Sequence, residues 1–119
     1  MGKFQELKVW QRAKNLAVYL YKITDHSAFS KDYGLRDQIR RAAVSISSNI
    51  AEGDELDTNR QAIKFFYTAK GSSAEVLTQA IIAFEIGYID KEIFKYIEKE
   101  CQGVASMLSR LIQACSQKS

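Results

Sequence analysis

The chain has 119 residues, 46% of them hydrophobic and 26% charged, with 17 basic and 14 acidic side chains and a net charge of +3. That length suits one folded domain, the apolar fraction excludes a disordered chain, and the mild basicity permits an anionic partner without demanding one. With no proline and six glycines, turn punctuation is too sparse for a β-rich protein, so an all-α fold is expected.

The first helix is predicted over residues 6–24. Val9, Trp10, Ala13, Leu16, Ala17, Leu20 and Ile23 recur at helical spacing on one arc, and Lys8, Arg12, Asn15, Tyr19 and Lys22 lie on the opposite side. The stretch DHSAFS at 25–30 breaks the period and reads as a loop. Phe29 is its hydrophobic plug, and Ser30 is placed to cap the next helix.

The second helix is predicted over 31–52, with Leu35, Ile39, Ala42, Ala43, Ile46 and Ile50 facing the core. Gly53 stands where a left-handed C-terminal cap belongs. The small residues at the centre predict a close crossing with a neighbour.

After a short acidic turn, Asp57 or Thr58 caps a third helix over 58–86. Its expected core arc is Ala62, Phe65, Phe66, Ala69, Ser73, Val76, Leu77, Ala80 and Phe84. Against an antiparallel second helix, Ala69 and Ser73 fall opposite Ala42 and Ala43. A second apolar strip, Ile63, Tyr67, Ala74 and Ile81, makes this helix apolar on more than one side, which points to a homo-oligomer.

Gly87 and Tyr88 end the third helix, and Asp90 caps a fourth over 91–115, with the tail frayed from Ser116. Its face is Ile93, Ile97, Cys101, Val104, Leu108, Leu111 and Cys115. Four amphipathic helices joined by short loops predict an antiparallel, up-down-up-down four-helix bundle filling residues 1–119 as a single domain.

Cys101 and Cys115 are about 21 Å apart along one helix, too far to bridge, and read as buried reduced thiols. No apolar run approaches the roughly 18 residues that span a bilayer, and MGKFQELKVW has no signal-peptide hydrophobic stretch. A cytoplasmic protein without membrane contact is expected.

Little in the chain points to catalysis. His26 is the one histidine and lies in a loop, no Glu-x-x-His pair suits a metal-bridged bundle, and no glycine-rich phosphate loop occurs. A non-enzymatic protein with no catalytic, cofactor or metal residues is therefore expected.

Two constellations remain. Gln38, Ser45, Asn49 and Glu52 flank the apolar arc of the second helix with Arg41 just beyond, and Ser72, Glu75 and Gln79 form a comparable flank on the third. Polar groups beside a core need partners, so the flanks read as an interhelical hydrogen-bond network, with Arg41 to Glu75 as one candidate pair, or as a ligand groove. The basic residues Lys8, Arg12 and Lys22 on the first helix, with Arg36 and Arg40 on the second, could contact RNA or DNA phosphates. Alternatively they are a solvated face in which Asp37 offsets Arg40 or Arg41.

The segment QIRRAAVSISSNIAEG at 38–53, preceded by YGL at 33–35, resembles the signature of the four-helix-bundle proteins first noticed as open reading frames in intervening sequences of bacterial 23S rRNA genes. FQELKVWQRA at 4–13, AKGSSAEVLTQ at 69–79 and GYI at 87–89 extend the resemblance over nearly the whole chain. It implies an antiparallel bundle that assembles as a homopentamer. A relative, the accessory variability determinant of diversity-generating retroelements, binds nucleic acid and a reverse transcriptase through a positive surface. The family defines no catalytic residues. This chain carries Ser30 and Ser47 where members often carry proline; serine caps a helix well, so the first change is expected to be harmless, and the second is expected to leave the second helix straighter. The functional expectation is an oligomeric scaffold that binds RNA or DNA electrostatically; the alternative is a protein–protein adaptor or structural oligomer.

Overall fold

The computed structural model describes residues 3–56 and 58–118. Four helices, α1 (Lys8–Ile23), α2 (Tyr33–Glu55), α3 (Asn59–Glu85) and α4 (Lys91–Lys118), carry most of the described residues, and no strand occurs among them. Consecutive helices pack on one another and α4 closes back on α1, giving the expected all-α bundle, 47 × 21 × 19 Å across. Among the described residues no helix is long and apolar enough to cross a membrane.

Three of the four helix N-termini are set by side chains that satisfy the free N–H groups of a first turn. Asp32 accepts from the Leu35 N–H at 3.1 Å, Thr58 from the Gln61 N–H at 3.2 Å, and Asp90 from the Ile93 N–H at 2.8 Å. Asp57, the alternative cap for α3, lies outside the described residues. Gly87 ends α3 with φ +86, so that the Gly87 N–H reaches the Phe84 carbonyl at 3.1 Å and the Tyr88 N–H the Ala83 carbonyl at 2.8 Å. Both bonds need a left-handed residue between them, which glycine supplies without a side-chain clash.

Several boundaries differ from the sequence expectation. Phe4–Glu6 forms a short 3-10 turn, Leu7 is extended, and α1 begins only at Lys8. The expected loop contains a second 3-10 turn, Ser27–Lys31, which drives Phe29 into the core at 1% exposure and takes Ser30 out of the capping position. Asp32 caps α2 instead, because its carboxylate serves two donors: one oxygen takes Leu35 and the other accepts the Tyr88 hydroxyl at 2.9 Å. That bond ties the α1–α2 loop to the α3–α4 loop at the same end of the bundle. At the other end of the chain, α4 stays helical through Gln117 and Lys118, beyond the expected fraying point.

The core is the face predicted from periodicity, with local rotations. Val9, Ala13, Leu16, Ala17 and Leu20 of α1 are buried, as are Ile39, Ala42, Ala43, Ile46 and Ile50 of α2 and Ile97, Cys101, Val104, Leu108 and Ile112 of α4. On α3 the buried arc takes in Ser72, Gln79 and Ala83, while Phe65 is only half-buried and Phe84 is 37% exposed against Phe94. Ser73 does not face α2: its hydroxyl donates to the Cys101 carbonyl of α4 at 2.9 Å. Ser72 is the residue that meets α2, its hydroxyl bonding Ser45 at 3.0 Å.

Gly53 is not a left-handed cap. It lies inside α2, which runs on to Glu55, and a Cβ there would sit 2.6 Å from Phe66 Cε1 and 3.2 Å from the Ala62 carbonyl oxygen. Its missing side chain is what lets the N-terminal turns of α3 close onto the end of α2. Replacing Gly53 with alanine is expected to lower unfolding free energy by about 1–3 kcal/mol through overpacking. Gly71→Ala, whose Cβ would meet nothing within 4 Å, is expected to raise it by about 0.5–1 kcal/mol. Chemical denaturation of the two variants checks both signs.

Cys101 is 2% exposed, and its burial pushes the thiol up to about 12, with a Ser73 hydrogen bond opposing the shift and the Glu100 charge adding to it. The thiolate is the reactive form, so Cys101 is expected to resist iodoacetamide at about pH 8 in the folded protein and to react once denatured. Mass spectrometry of the alkylated peptides reads the difference.

Candidate nucleic-acid interface

The three arginines expected at the basic surface are all held by the protein's own acceptors. Arg12 does not project from the outer face of α1; it lies in the α1–α4 seam. Its Nε donates to Glu100 Oε1 at 2.8 Å and its Nη2 to Glu100 Oε2 at 3.2 Å, a two-pronged pair with Glu100 only 14% exposed. The hydrogen bond to Glu100 raises the guanidinium's pKa above the ordinary arginine value against the opposing effect of burial. Space for the group comes from Gly103 of α4, where an added Cβ would overlap the Arg12 guanidinium.

Arg36 and Arg40 fasten the α1–α2 loop. Arg36 donates to the Ser30 carbonyl at 3.0 Å and to Asp37 at 3.1 Å, and its guanidinium lies 4.7 Å from the centre of the Tyr33 ring. Asp37 thus pairs with Arg36 and with neither Arg40 nor Arg41. Arg40 donates to Thr24 Oγ1 at 2.8 Å and to the Tyr21 carbonyl at 3.2 Å, approaches Asp25 at 3.6 Å and covers the Tyr21 ring at 4.6 Å. Thr24 is fully buried and donates its hydroxyl hydrogen to the Leu20 carbonyl at 2.6 Å, so Arg40 supplies a donor to one of the lone pairs on its oxygen. A planar fork of donors suits these multi-acceptor roles in a way an ammonium does not.

Lys8 and Lys22 are exposed, and the structure gives them new neighbours. Tyr19, one turn before Lys22, packs on Tyr96 of α4 with ring centroids 4.4 Å apart, and Tyr96 stays 39% exposed. Burial is the main reason that both phenols are shifted upward. Lys99 follows Tyr96 by one turn, and Arg110, bonded to Ser106 at 3.2 Å, lines the same shallow hollow as Lys8 and Met107. One long face therefore carries Lys8 and Lys22 from α1, Lys99 and Arg110 from α4, and an aromatic pair between them. Asp90 adds negative charge beside Tyr19 on this face. Sequence reading finds only the α1 half, because the pairing of α1 with α4 spans most of the chain.

The polar flank of α2 does form an interhelical network, in part. Ser45 accepts from Ser72 at 3.0 Å and from Asn49 Nδ2 at 3.0 Å, and Asn49 also donates to the Ser45 carbonyl at 2.8 Å. Gln79 donates to Gln38 Oε1 at 3.4 Å across the same pair of helices. Glu52 lies apart, exposed beside Phe4, Leu56 and Phe65. Among the described residues no ion pair joins Arg41 to Glu75; the two instead border a hollow of about 260 Å³ with Gln38, Ser45 and Gln79. Gln79 is 9% exposed and its Oε1 has no partner, a deficit that costs about 1–3 kcal/mol if nothing fills it.

The Arg12 seam yields a sign test. Gly103→Ala is expected to destabilise the wild-type chain by about 1–2 kcal/mol, because the guanidinium must leave Glu100. In an Arg12→Ala background the same change should become stabilising by about 0.5–1 kcal/mol, since only helix propensity remains. A double-mutant cycle by denaturant melting measures it.

Residues 5–110 match the family model described as 23S rRNA-intervening sequence protein. No curated protein matches the chain. Among solved structures the chain is similar to the 1.70 Å crystal structure of a protein of unknown function from the S23 ribosomal protein family of Bacteroides thetaiotaomicron VPI-5482. Identity is 21%, the match covers 87% of this chain and 97% of that one, and the TM-score is 0.81. At that identity the structural likeness speaks for the fold alone, and the bundle geometry agrees with it. The family match spans most of the chain, from the 3-10 turn before α1 to the last third of α4, and on that ground the chain belongs to the 23S rRNA-intervening sequence protein family.

Proposed function

We propose that the protein is a non-enzymatic scaffold that assembles with copies of itself and binds RNA or DNA through the α1–α4 face. The observation that carries this reading is the half-exposed Tyr19–Tyr96 pair set among Lys8, Lys22, Lys99 and Arg110. Lysines without fixed partners hold phosphates electrostatically, and aromatic rings among them offer stacking surface to bases. The interface is smaller than five free cations would make it, because Arg12, Arg36 and Arg40 spend their charge inside the fold. A net charge of +3 makes repetition important: several protomers joined in a ring, five by the family resemblance, would multiply a modest patch along a polyanion.

Assembly itself is supported by α3. Tyr67 is 57% exposed and Ile81 39%, and beside them an apolar groove of about 440 Å³ runs between α3 and α4, bordered by Ala74, Leu77 and Ala105. The second reading, a protein–protein adaptor, rests on this groove alone and needs no phosphate contact.

Sedimentation of the purified protein with a mixed RNA and DNA pool, across a salt series, tests the proposal. Co-sedimentation at low salt, with log affinity falling linearly in log salt, is the expected result. Lys8→Glu with Lys22→Glu should weaken binding and flatten that slope by about 0.7–0.9 for each lysine engaged, at unchanged oligomer size. The lysines are the informative sites, since reversing Arg36 or Arg40 would dismantle the α1–α2 loop. An oligomer indifferent to nucleic acid at low salt would favour the adaptor.

A further inference from the structure

Among the described residues, the hollow between α2 and α3 is the one place where a buried polar group, two charges of opposite sign with no ion pair and open volume coincide. Its floor is Gln79, nine-tenths buried, whose Nε2 donates to Gln38 while Oε1 has no donor. Turning both amides over would leave Gln79 Nε2 unpartnered instead, a donor that a ligand carboxylate rather than its ammonium would take. On the rim stand Arg41 and Glu75, both exposed, with no ion pair between them. Ser45 is already occupied by Ser72 and Asn49. The volume, about 260 Å³, is below the roughly 300–1,000 Å³ of sites for drug-sized molecules, so it suits a ligand of a few heavy atoms.

These groups constrain what the hollow accepts. A simple anion would satisfy Arg41 but would face the Glu75 carboxylate. A simple cation would satisfy Glu75 but meet the Arg41 guanidinium. An apolar molecule would leave Gln79 unpaired in a drier setting, which is unfavourable. A ligand with a cationic donor and a carboxylate a few bonds apart answers all of them. We propose that the α2–α3 hollow binds a free α-amino acid, its carboxylate on Arg41 and its ammonium shared between Glu75 and Gln79. This site is separate from the α1–α4 face, and the proposal stands or falls independently of nucleic-acid binding.

The test is thermal melting followed by titration calorimetry on the full chain, with each common L-amino acid offered singly and with acetate and methylammonium as half-ligands. The expected result is that at least one amino acid raises the melting temperature and binds saturably, while neither half-ligand does. Arg41→Gln and Glu75→Gln, both at exposed positions, should each weaken that binding at least about tenfold. Gln79→Leu should abolish it. If no amino acid shifts the melt, the hollow holds water only and the proposal is overturned. Binding that survives both charge-removing variants, or that acetate reproduces, overturns it equally. The two surface variants keep the test decisive should Gln79→Leu fail to fold.

Discussion

The close approach of α2 and α3 is the constraint on which the rest of the structure depends. These two helices share the most extensive contact in the bundle, and small residues lie between them. Ala42, Ala43 and Ala69 are buried, Ser45 meets Ser72 oxygen to oxygen, and Gly53 has no Cβ to strike Phe66. Small side chains contribute little apolar area each, but they let two backbones approach and bring larger neighbours into contact along the flanks. Polar residues can lie so near the core only because the crossing puts a partner within hydrogen-bond reach.

A second principle divides the positive charges. Arg12, Arg36 and Arg40 turn to acceptors within the fold, whereas Arg41, Arg110 and the lysines of the α1–α4 face stay exposed. Arg12 crosses from α1 to α4, Arg36 holds the carbonyl of Ser30, and Arg40 completes the hydrogen bonding of buried Thr24. Each brings donors to acceptors that the fold has partly removed from water. The exposed lysines keep their hydration and remain available. The mildly basic composition therefore overstates the chain's free positive surface, and the nucleic-acid reading narrows to one face of the bundle.

The two ends of the α2–α3 seam behave differently. Toward Ser45 and Ser72 every hydroxyl has a partner, and the network specifies register. Around Gln79 the network opens, with no ion pair between Arg41 and Glu75 and one amide oxygen unanswered. A fully satisfied network rigidifies a core, whereas a partly satisfied one beside a hollow is where ligand chemistry can enter.

Much of the fold is legible in the sequence. Helical periodicity alone identifies the buried faces of α1, α2 and α4, because an amphipathic helix must turn its apolar stripe inward whatever its neighbour is. The absence of proline, Gly87 after α3, and Asp90 and Thr58 before helices are local signals read locally. The uncommitted lysines Lys8 and Lys22 are also visible as an outer stripe of α1. Failures occur where the partner is distant. Nothing around Arg12 announces Glu100 and Gly103, which lie almost a chain length away, and Ser73 looks like its neighbour Ser72 until α4 is in place. Gly53 has the appearance of a cap because only α3 reveals that its role is clearance. Sequence by itself determined which residues form helices and which sides of them are dry, since these follow from backbone geometry and the hydrophobic effect. Tertiary structure decided which charges remain free and which polar groups go unpaired, since those depend on what each side chain meets across the bundle.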